Sequence, residues 1–461
     1  ALPIFKAATS AKQAIEQLGL ADLPPAELSD AAGRATGLSF PERGVALLYS
    51  QPNSGDRVAE IRLQPIGVDP FLSRVRGDRK HQWQRSLDDL QIAAQLNPAD
   101  ARIWWIKSEV LIHQSEFAKA ALAIEKALVI QPDSQLYRLT AARLIAEAGS
   151  YDDAIAAAEE VYRGAGEQPL LKARAALLLA DLATLTGERD FARAMELSQH
   201  AIGTVLPLAN AEEQQRRVAA KRILIDAHLE IAGIVAQGEW QQKEKSVQQW
   251  LDRAKALADD FVQNEAGDSG VYFDVLCKRL DAYAWLEGAV DPASTVKELQ
   301  LRKANLTGGS TDPTYQRHVQ WQYAKAMIDA VDIQRAREEK TAALDYGKIA
   351  DEIVTKHAGG SWNREVIQFQ RSRLYFLLGS IQAVQFRDHA AAVKWFDKSI
   401  DDISRPEPDR DLALTVRRGQ WMVSMGISYW HVGRKSTGLK LTEAGLALIV
   451  NSHEDEPANA K

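Results

Sequence analysis

Residues 101–134 read ARIWWIKSEVLIHQSEFAKAALAIEKALVIQPDS, and this stretch decides the fold. Apolar residues recur every three or four positions in two runs, the second of which begins at Phe117, and this spacing is typical of amphipathic helices. Proline cannot donate a hydrogen bond to the helix ladder, so the second helix ends before Pro132. Because the connection between the runs is short, the two helices form an antiparallel hairpin.

The same pattern recurs along the chain. Pro98 and Pro132 are 34 residues apart, which sets repeat units that begin at Gly67, Ala101 and Gln135. Small side chains at fixed positions of a unit let helices approach closely, and large apolar side chains fill the space between them. In the unit that begins at Ala101, these residues are Trp104, Ser108, Leu111, Phe117, Ala120, Ile124 and Ala127.

The unit that begins at Gly67 keeps only the second half of this pattern. Trp83 and Leu90 occupy the large positions of its second helix, and Ser86 and Ala93 the small ones. Its first half contains Pro70 and Gly77 where a helix is needed, so we expect a half-repeat.

This arrangement resembles the tetratricopeptide repeat (TPR) family, in which small and aromatic residues recur in units of about 34 residues. The resemblance covers residues 81–204 and 361–452, is loose over 205–360 and is absent over 1–66. It implies an all-α fold, a right-handed superhelical solenoid of antiparallel helix pairs, with a small mixed N-terminal segment. Helix-length segments separated by short breaks predict about eighteen helices after residue 80.

We divide the chain into an N-terminal segment, 1–80, and two halves of the helical array, 81–290 and 291–461. In the segment, Ser10 to Leu20 and Pro25 to Ala35 are predicted to be short helices. Gly44 to Ser50 and Arg57 to Gln64 are β-rich runs around a turn, which predicts a hairpin but no separate fold. Since the end of a solenoid exposes apolar surface, we expect this segment to pack as a cap on the first hairpins.

Composition excludes several classes of protein. The 461 residues are 46% apolar and 26% charged, with an interspersed net charge of −6 and a single cysteine. These values argue against an intrachain disulfide, a multi-cysteine metal site and nucleic acid as the main partner. No apolar run is long enough to span a bilayer, and no phosphate loop, zinc-protease pair or nucleophile elbow is present. We therefore expect no enzyme activity and no cofactor. The chain begins at Ala1, and export or a cytoplasmic location fits the sequence equally well.

The resemblance also implies where a partner would bind. In the TPR family, recurring positions of the first helix of each pair line a concave surface. Here the corresponding residues are Arg102, Trp105, Glu109 and His113 in one unit, Leu139, Arg143 and Glu147 in the next, and Trp430 in the last. An exposed Trp105 or Trp430 would suit a partner anchor. A neighbouring helix or the N-terminal segment covering them fits equally well. One TPR subclass binds the C-terminal carboxylate of a partner through a set of lysine, asparagine and arginine residues on these helices, and that set is not present here.

The sequence thus predicts a non-enzymatic scaffold or adaptor that binds a protein or peptide on its concave helical surface. Two alternatives remain open at this stage. The chain could be a constitutive structural subunit of a larger complex, or a regulatory or sensor module of a longer polypeptide.

Overall fold

The computed structural model describes residues 10–30, 34–53, 57–63, 65–77, 81–185, 189–265, 268–357, 364–404 and 412–454. Two of the short breaks that the sequence predicts between helices, at Thr186-Gly187 and at Gly359-Gly360, lie outside these residues. Helices account for 76% of the described residues, which confirms the all-α prediction.

Twenty helices form within the described residues, eighteen of them after residue 80. They are α1 (Ala11–Gln17), α2 (Val68–Arg76), α3 (Trp83–Leu96), α4 (Ala101–His113), α5 (Phe117–Ile130), α6 (Gln135–Glu147), α7 (Tyr151–Gly164), α8 (Pro169–Leu185), α9 (Phe191–Val205), α10 (Gln214–Gln237), α11 (Lys243–Asn264), α12 (Ser269–Ala284), α13 (Ala293–Gly309), α14 (Pro313–Ala336), α15 (Lys340–His357), α16 (Arg364–Ser380), α17 (His389–Phe396), α18 (Ile400–Ile403), α19 (Leu412–His431) and α20 (Lys435–Glu454).

Successive helices pack as hairpins, from α2 with α3 to α19 with α20. The first helices of neighbouring hairpins also contact one another, in the series α6, α8, α10, α12, α14, α16 and α19. These first helices, beginning with α4, therefore form an inner row, and their partners α5, α7, α9, α11, α13 and α15 form an outer row. One apolar core joins α2, α3 and α4 with the helices from α10 to α16, across residue 290, where we place the boundary between the two halves. That boundary stays a prediction.

The small residues of the 34-residue pattern lie at the helix crossings. Ser108, Ala120 and Ala127 are fully buried, and so are Ala154 and Ala194 at the equivalent place in the next units. The C-terminal hairpin uses glycines in the same way. A Cβ atom on Gly426 would lie 2.8 Å from the carbonyl oxygen of Gly438, so α19 and α20 approach with no space for a side chain.

The N-terminal segment is a four-stranded antiparallel sheet. Its strands are β1 (Ala26–Ser29), β2 (Ala35–Phe40), β3 (Val45–Tyr49) and β4 (Val58–Leu63), in that spatial order. The hairpin prediction is confirmed by the β3–β4 pairing, although residues 54–56 of its turn lie outside the described part. Phe40, Leu47 and Leu20 form a core under the sheet together with α1, which is where a helix was predicted.

The helix predicted from Pro25 to Ala35 is wrong. Ala26 to Ser29 forms β1, and Ala35 opens β2, which pairs with it. The residue before a proline is held extended, so Pro24 and Pro25 direct the chain into a strand. Pairing with β2 then overrides the helix propensity of alanine, glutamate and leucine.

The half-repeat prediction is also wrong, because α2 supplies the first helix of the unit that begins at Gly67. Pro70 is the third residue of α2, in the first turn, where a backbone N–H has no partner within the helix. Gly77 is the C-cap residue and ends the helix instead of interrupting it. The first hairpin of the array is therefore α2 with α3.

Arg74 joins the sheet to the helical array. Its side chain is 1% exposed and donates hydrogen bonds to both carboxylate oxygens of Asp89 on α3, at 2.8 and 2.6 Å. It also donates to Glu42 at 2.6 Å and to the carbonyl oxygen of Pro24 at 2.7 Å. Through these hydrogen bonds the residues before and within the sheet are joined to α2 and α3. That the segment acts as a cap stays a prediction.

Candidate binding surface

The inner-row helices carry charged side chains at helical spacing. On α10, Arg222, Asp226 and Glu230 follow one another every four residues. Since residues four apart share a helix face, these three form a stripe in an otherwise apolar helix. The neighbouring helices repeat the pattern. The stripes on the other inner helices comprise Arg143 and Glu147 on α6, Arg174 and Asp181 on α8, Asp274, Lys278 and Asp281 on α12, and Lys325, Asp329 and Asp332 on α14. We call these residues, with Glu109 and His113 of α4, the inner surface.

Charges on distant parts of the inner surface act on one another. The charge of Lys325 on α14 opposes the rise that burial causes in the pKa of Glu147 on α6. Arg143, also on α6, likewise acts on Asp226 of α10. The aromatic contacts agree, since the indole of Trp83 on α3 lies 6.2 Å from the imidazole of His113 on α4 and 5.0 Å from that of His318 on α14. The inner row thus curves until α4 and α14 approach each other. The inner surface therefore encloses a space.

Enclosure shifts the titration of several groups. Burial, reinforced by neighbouring carboxylates, raises the pKa of Glu230 to about 8. Burial also raises the pKa of Asp274 to about 6, against the opposing charge of Arg222. Burial lowers the pKa of His113 to about 4 and that of His318, on α14, to about 4, so both imidazoles are neutral at pH 7.

Some inner carboxylates have a cationic partner. Arg222 lies 3.3 Å from Asp226 and 3.6 Å from Asp274. Arg373 on α16 pairs with Asp329 at 2.7 Å and with Asp332 at 3.2 Å. Each arginine thus faces two carboxylates and offsets part of their charge.

Three other carboxylates have no such partner. Asp181 on α8, Glu230 on α10 and Asp281 on α12 make no hydrogen bond or ion pair within the part of the chain that the structure describes. We call them the acidic triad. The side chains of Asp181 and Asp281 are exposed to solvent, and that of Glu230 is half-buried. Desolvation by the surrounding helices raises the pKa of Asp181, and the charge of Lys278 opposes this rise. Lys278 makes no ion pair with any of the described residues either, so one lysine faces three carboxylates.

Trp105 belongs to the edge of the inner surface and is half-buried. Its indole N–H donates a 3.2 Å hydrogen bond to Thr140 of α6, and the guanidinium of Arg76 lies 5.7 Å from the ring centroid. Arg76 is part of α2, so the N-terminal segment covers part of this ring. Glu109 accepts a 3.1 Å hydrogen bond from the same Thr140 hydroxyl. Both predicted residues are thus tied to neighbouring helices.

His113, Arg143 and Glu147 lie on the inner surface. Burial lowers the pKa of His113, and the charge of Arg143 lowers it further. Burial raises the pKa of Glu147, and the charge of Arg143 opposes this rise. Arg102 is neutralised at the rim by Asp100, at 2.6 Å, and by Asp69 of α2, at 2.8 Å.

Leu139 needs a correction. It is only 8% exposed and packs among Val161 and Leu171 of α7 and α8, so it belongs to the core and not to a binding surface. Trp430 is 51% exposed near the end of α19, with the Lys435 ammonium 5.3 Å from its ring centroid. No contact among the described residues brings it together with the other predicted site residues.

The acidic triad was missed because the middle helices fit the repeat motif poorly. A signal was present nonetheless. In α10, α12 and α14 the charged residues follow each other at four- and three-residue intervals within apolar sequence, and such a stripe must face water or an opposite charge. The local sequence does not determine which stripes face one another.

Among the described residues, no group of three or more histidine, cysteine, aspartate or glutamate side chains is placed to hold a metal ion. No helix in the described ranges combines the length and the apolar character that crossing a membrane requires.

The described helices stack as antiparallel pairs, which is the arrangement that the resemblance to the TPR family implies. Solved structures with this kind of architecture include the Rap protein complexed with competence and sporulation factor, at 10% identity and a TM-score of 0.45 over 84% of this chain and 98% of that one. The human IFIT1 dimer with PPP-AAAA gives 14% and 0.32 over 83% and 91%. The APC/C hetero-tetramer Cut9–Hcn1 gives 12% and 0.27 over 84% and 88%. At these identities and TM-scores the likenesses carry no conclusion about this chain. No protein-family model matches the chain, and no curated protein matches it in sequence.

Proposed function

We propose that this protein is a non-enzymatic scaffold or adaptor that binds a polypeptide segment on its inner surface. The observation that carries the proposal is the acidic triad. Three carboxylates of neighbouring helices lie in an enclosed space without hydrogen-bond or ion-pair partners among the described residues. Asp181 and Asp281 are exposed to solvent, Glu230 is half-buried, and Lys278 faces all three. The carboxylates therefore outnumber the nearby cation, and a bound cation would relieve their mutual repulsion.

The chemistry of the triad indicates the kind of segment. Lysine and arginine side chains complement carboxylates, and arginine can pair with a carboxylate through two hydrogen bonds. We therefore expect a segment with at least one basic residue at the triad. Arg143 and Lys278 would receive its carbonyl groups or an acidic residue.

Nucleic acid is a poorer fit to this surface. Phosphate groups bind where lysine and arginine outnumber acids, whereas the acidic triad and Asp226 would repel them. The human IFIT1 structure holds a triphosphorylated RNA, but its likeness carries no conclusion about this chain.

Selection from a random peptide library tests the proposal. Twelve-residue peptides displayed on phage would be selected with the full chain, and we expect the recovered sequences to be enriched in lysine and arginine. A variant with Asp181→Asn, Glu230→Gln and Asp281→Asn should lose that enrichment. The matched control carries Glu125→Gln and Asp153→Asn, two exposed acids of the outer helices α5 and α7. Recovery without basic enrichment, or equal recovery by the triad variant, would contradict the proposal.

A constitutive subunit of a larger complex is the second candidate. The last helix, α20, exposes Leu439, Leu446 and Val450 along one face at intervals of seven and four residues. Ile427 and Trp430 of α19 are also about half exposed. An apolar stripe on the last helix of an array suits a permanent neighbour. Size-exclusion chromatography with light scattering separates the two candidates, since an adaptor should be monomeric alone and an obligate subunit should self-associate.

A further inference from the structure

The start of α3 contacts residues far along the chain. The imidazole Nε2 of His81 lies 2.7 Å from a carboxylate oxygen of Asp268, which caps α12. Ser310 donates a 2.8 Å hydrogen bond to the carbonyl oxygen of His81, and the backbone N–H of Gln84 donates a 2.8 Å bond to Asp312. These bonds join residues separated by 187 to 229 positions.

Aromatic rings fill the same contact. The ring of His81 stacks on Tyr315 with centroids 4.5 Å apart. The indole of Trp83 meets Tyr315 edge-on at 5.4 Å and His318 at 5.0 Å. Both Trp83 and Tyr315 are buried. We call this contact the seam; its members are His81, Trp83, Gln84, Asp268, Ser310, Asp312, Tyr315 and His318.

The seam closes the array upon itself. Helical repeats ordinarily contact only their neighbours in sequence, whereas the seam joins the first hairpin to the loop between α13 and α14. The inner surface lies behind it, since the Trp83 ring of the seam stacks on His113 of the inner surface with centroids 6.2 Å apart. A segment that reaches the acidic triad must pass an end of the array or this contact.

The seam is also a contact that can break without separating neighbouring hairpins. Consecutive helices pack along their lengths, whereas α3 and α14 touch over a short stretch, in which Trp83 and Tyr315 belong to the apolar core. The seam instead joins the N-terminal ends of α3 and α14, and its ion pair is partly exposed, with His81 at 24% and Asp268 at 33%. Partly exposed ion pairs contribute little to stability.

We propose that the seam is a latch whose opening admits the polypeptide segment to the inner surface and whose closure retains it. What is admitted rests on the function proposed above. That the seam opens can be tested without any ligand.

Two conservative substitutions weaken the latch. Asp312 accepts hydrogen bonds from the N–H groups of Thr314 and Tyr315 through one oxygen and from Gln84 through the other. In D312N the remaining oxygen still caps α14, while an amide donor replaces the acceptor that faces Gln84. H81F keeps a ring against Tyr315 and removes the pairing with Asp268.

The first measurement is the distance across the seam. Spin labels at Arg85→Cys and Asn305→Cys, both exposed positions, would be read by electron–electron double resonance in a Cys277→Ser background. We expect one narrow distribution in the parent and a broader one, extending to longer distances, with D312N and H81F together. The control Arg193→Ala breaks a 2.7 Å ion pair with Glu159 between α7 and α9 and should leave the distribution unchanged. A parent-like distribution in the double variant, or a broad one already in the parent, would overturn the latch.

The second measurement is the association rate of a peptide recovered from the library. If opening limits entry, the rate constant follows the open population, and we expect about a tenfold increase with D312N and H81F, which corresponds to about 1.4 kcal/mol. An unchanged rate constant in a variant whose distances have shifted would refute the latch while leaving the proposed function intact. If shifted distances are found and no peptide is bound by any variant, the proposed function fails and the opening stands.

Discussion

Replacing Glu230 by glutamine should stabilise the protein, and only at a pH where the glutamate of the unfolded chain is charged. The ordinary pKa of this glutamate is 4.5, and burial among carboxylates raises it to about 8 in the folded chain. Between these values the folded state holds a proton that the unfolded state has released. Stability therefore falls as the pH rises from about 4.5 to about 8. Glutamine carries no charge and escapes this loss.

The magnitude follows from the same two values. Each pH unit between them corresponds to about 1.4 kcal/mol, so a fully dry site would lose about 5 kcal/mol by pH 8. Glu230 keeps partial contact with water, which screens its neighbours. We therefore expect Glu230→Gln to gain about 2 kcal/mol at pH 8 and to match the parent at pH 5.

Urea denaturation at pH 5 and pH 8 measures the difference in the free energy of unfolding. The outer-row variant Glu125→Gln serves as the control and should change stability by less than about 0.5 kcal/mol at both pH values. Equal effects of Glu230→Gln at the two pH values, or a loss of stability at pH 8, would show that Glu230 is not held in an unfavourable electrostatic environment. A cationic ligand would then relieve no electrostatic repulsion at Glu230.

Three further changes test other parts of the structure. Ala120→Leu would overpack the crossing of α4 and α5 and should cost roughly 1–3 kcal/mol of unfolding free energy; unchanged thermal stability would mean that the repeat register is wrong. Arg74→Met leaves the carboxylate of Asp89 buried and should cost about 3–5 kcal/mol, most of which Arg74→Met with Asp89→Leu should recover; a double variant as unstable as the single one in urea denaturation would refute the role of that ion pair. Trp105→Ala with Arg143→Ala should weaken binding of a selected peptide by at least about 2 kcal/mol while the helical circular dichroism persists; parental affinity would remove these two residues from the binding surface.

The sequence by itself determined the helical hairpins and their register. Ser108, Ala120 and Ala127 are recognisable as crossing residues because the information is local: the period of 3.6 residues fixes each helix face, and the 34-residue unit fixes which faces meet. Local sequence also predicts the β3–β4 hairpin. The helix predicted from Pro25 to Ala35 is wrong, because pairing with a strand that begins only at Ala35 overrides the helix propensity of alanine, glutamate and leucine.

Only the tertiary structure decided which inner side chains lie together. Asp181, Glu230 and Asp281 stand in separate hairpins, and their proximity depends on the small rotation between each hairpin and the next. That rotation accumulates over many repeats and also brings His81 to Asp268, 187 residues away. The hydrophobic spacing of each helix is a local property of its sequence. The rotation summed over successive hairpins depends on all the helix crossings together, so no single segment of sequence determines it.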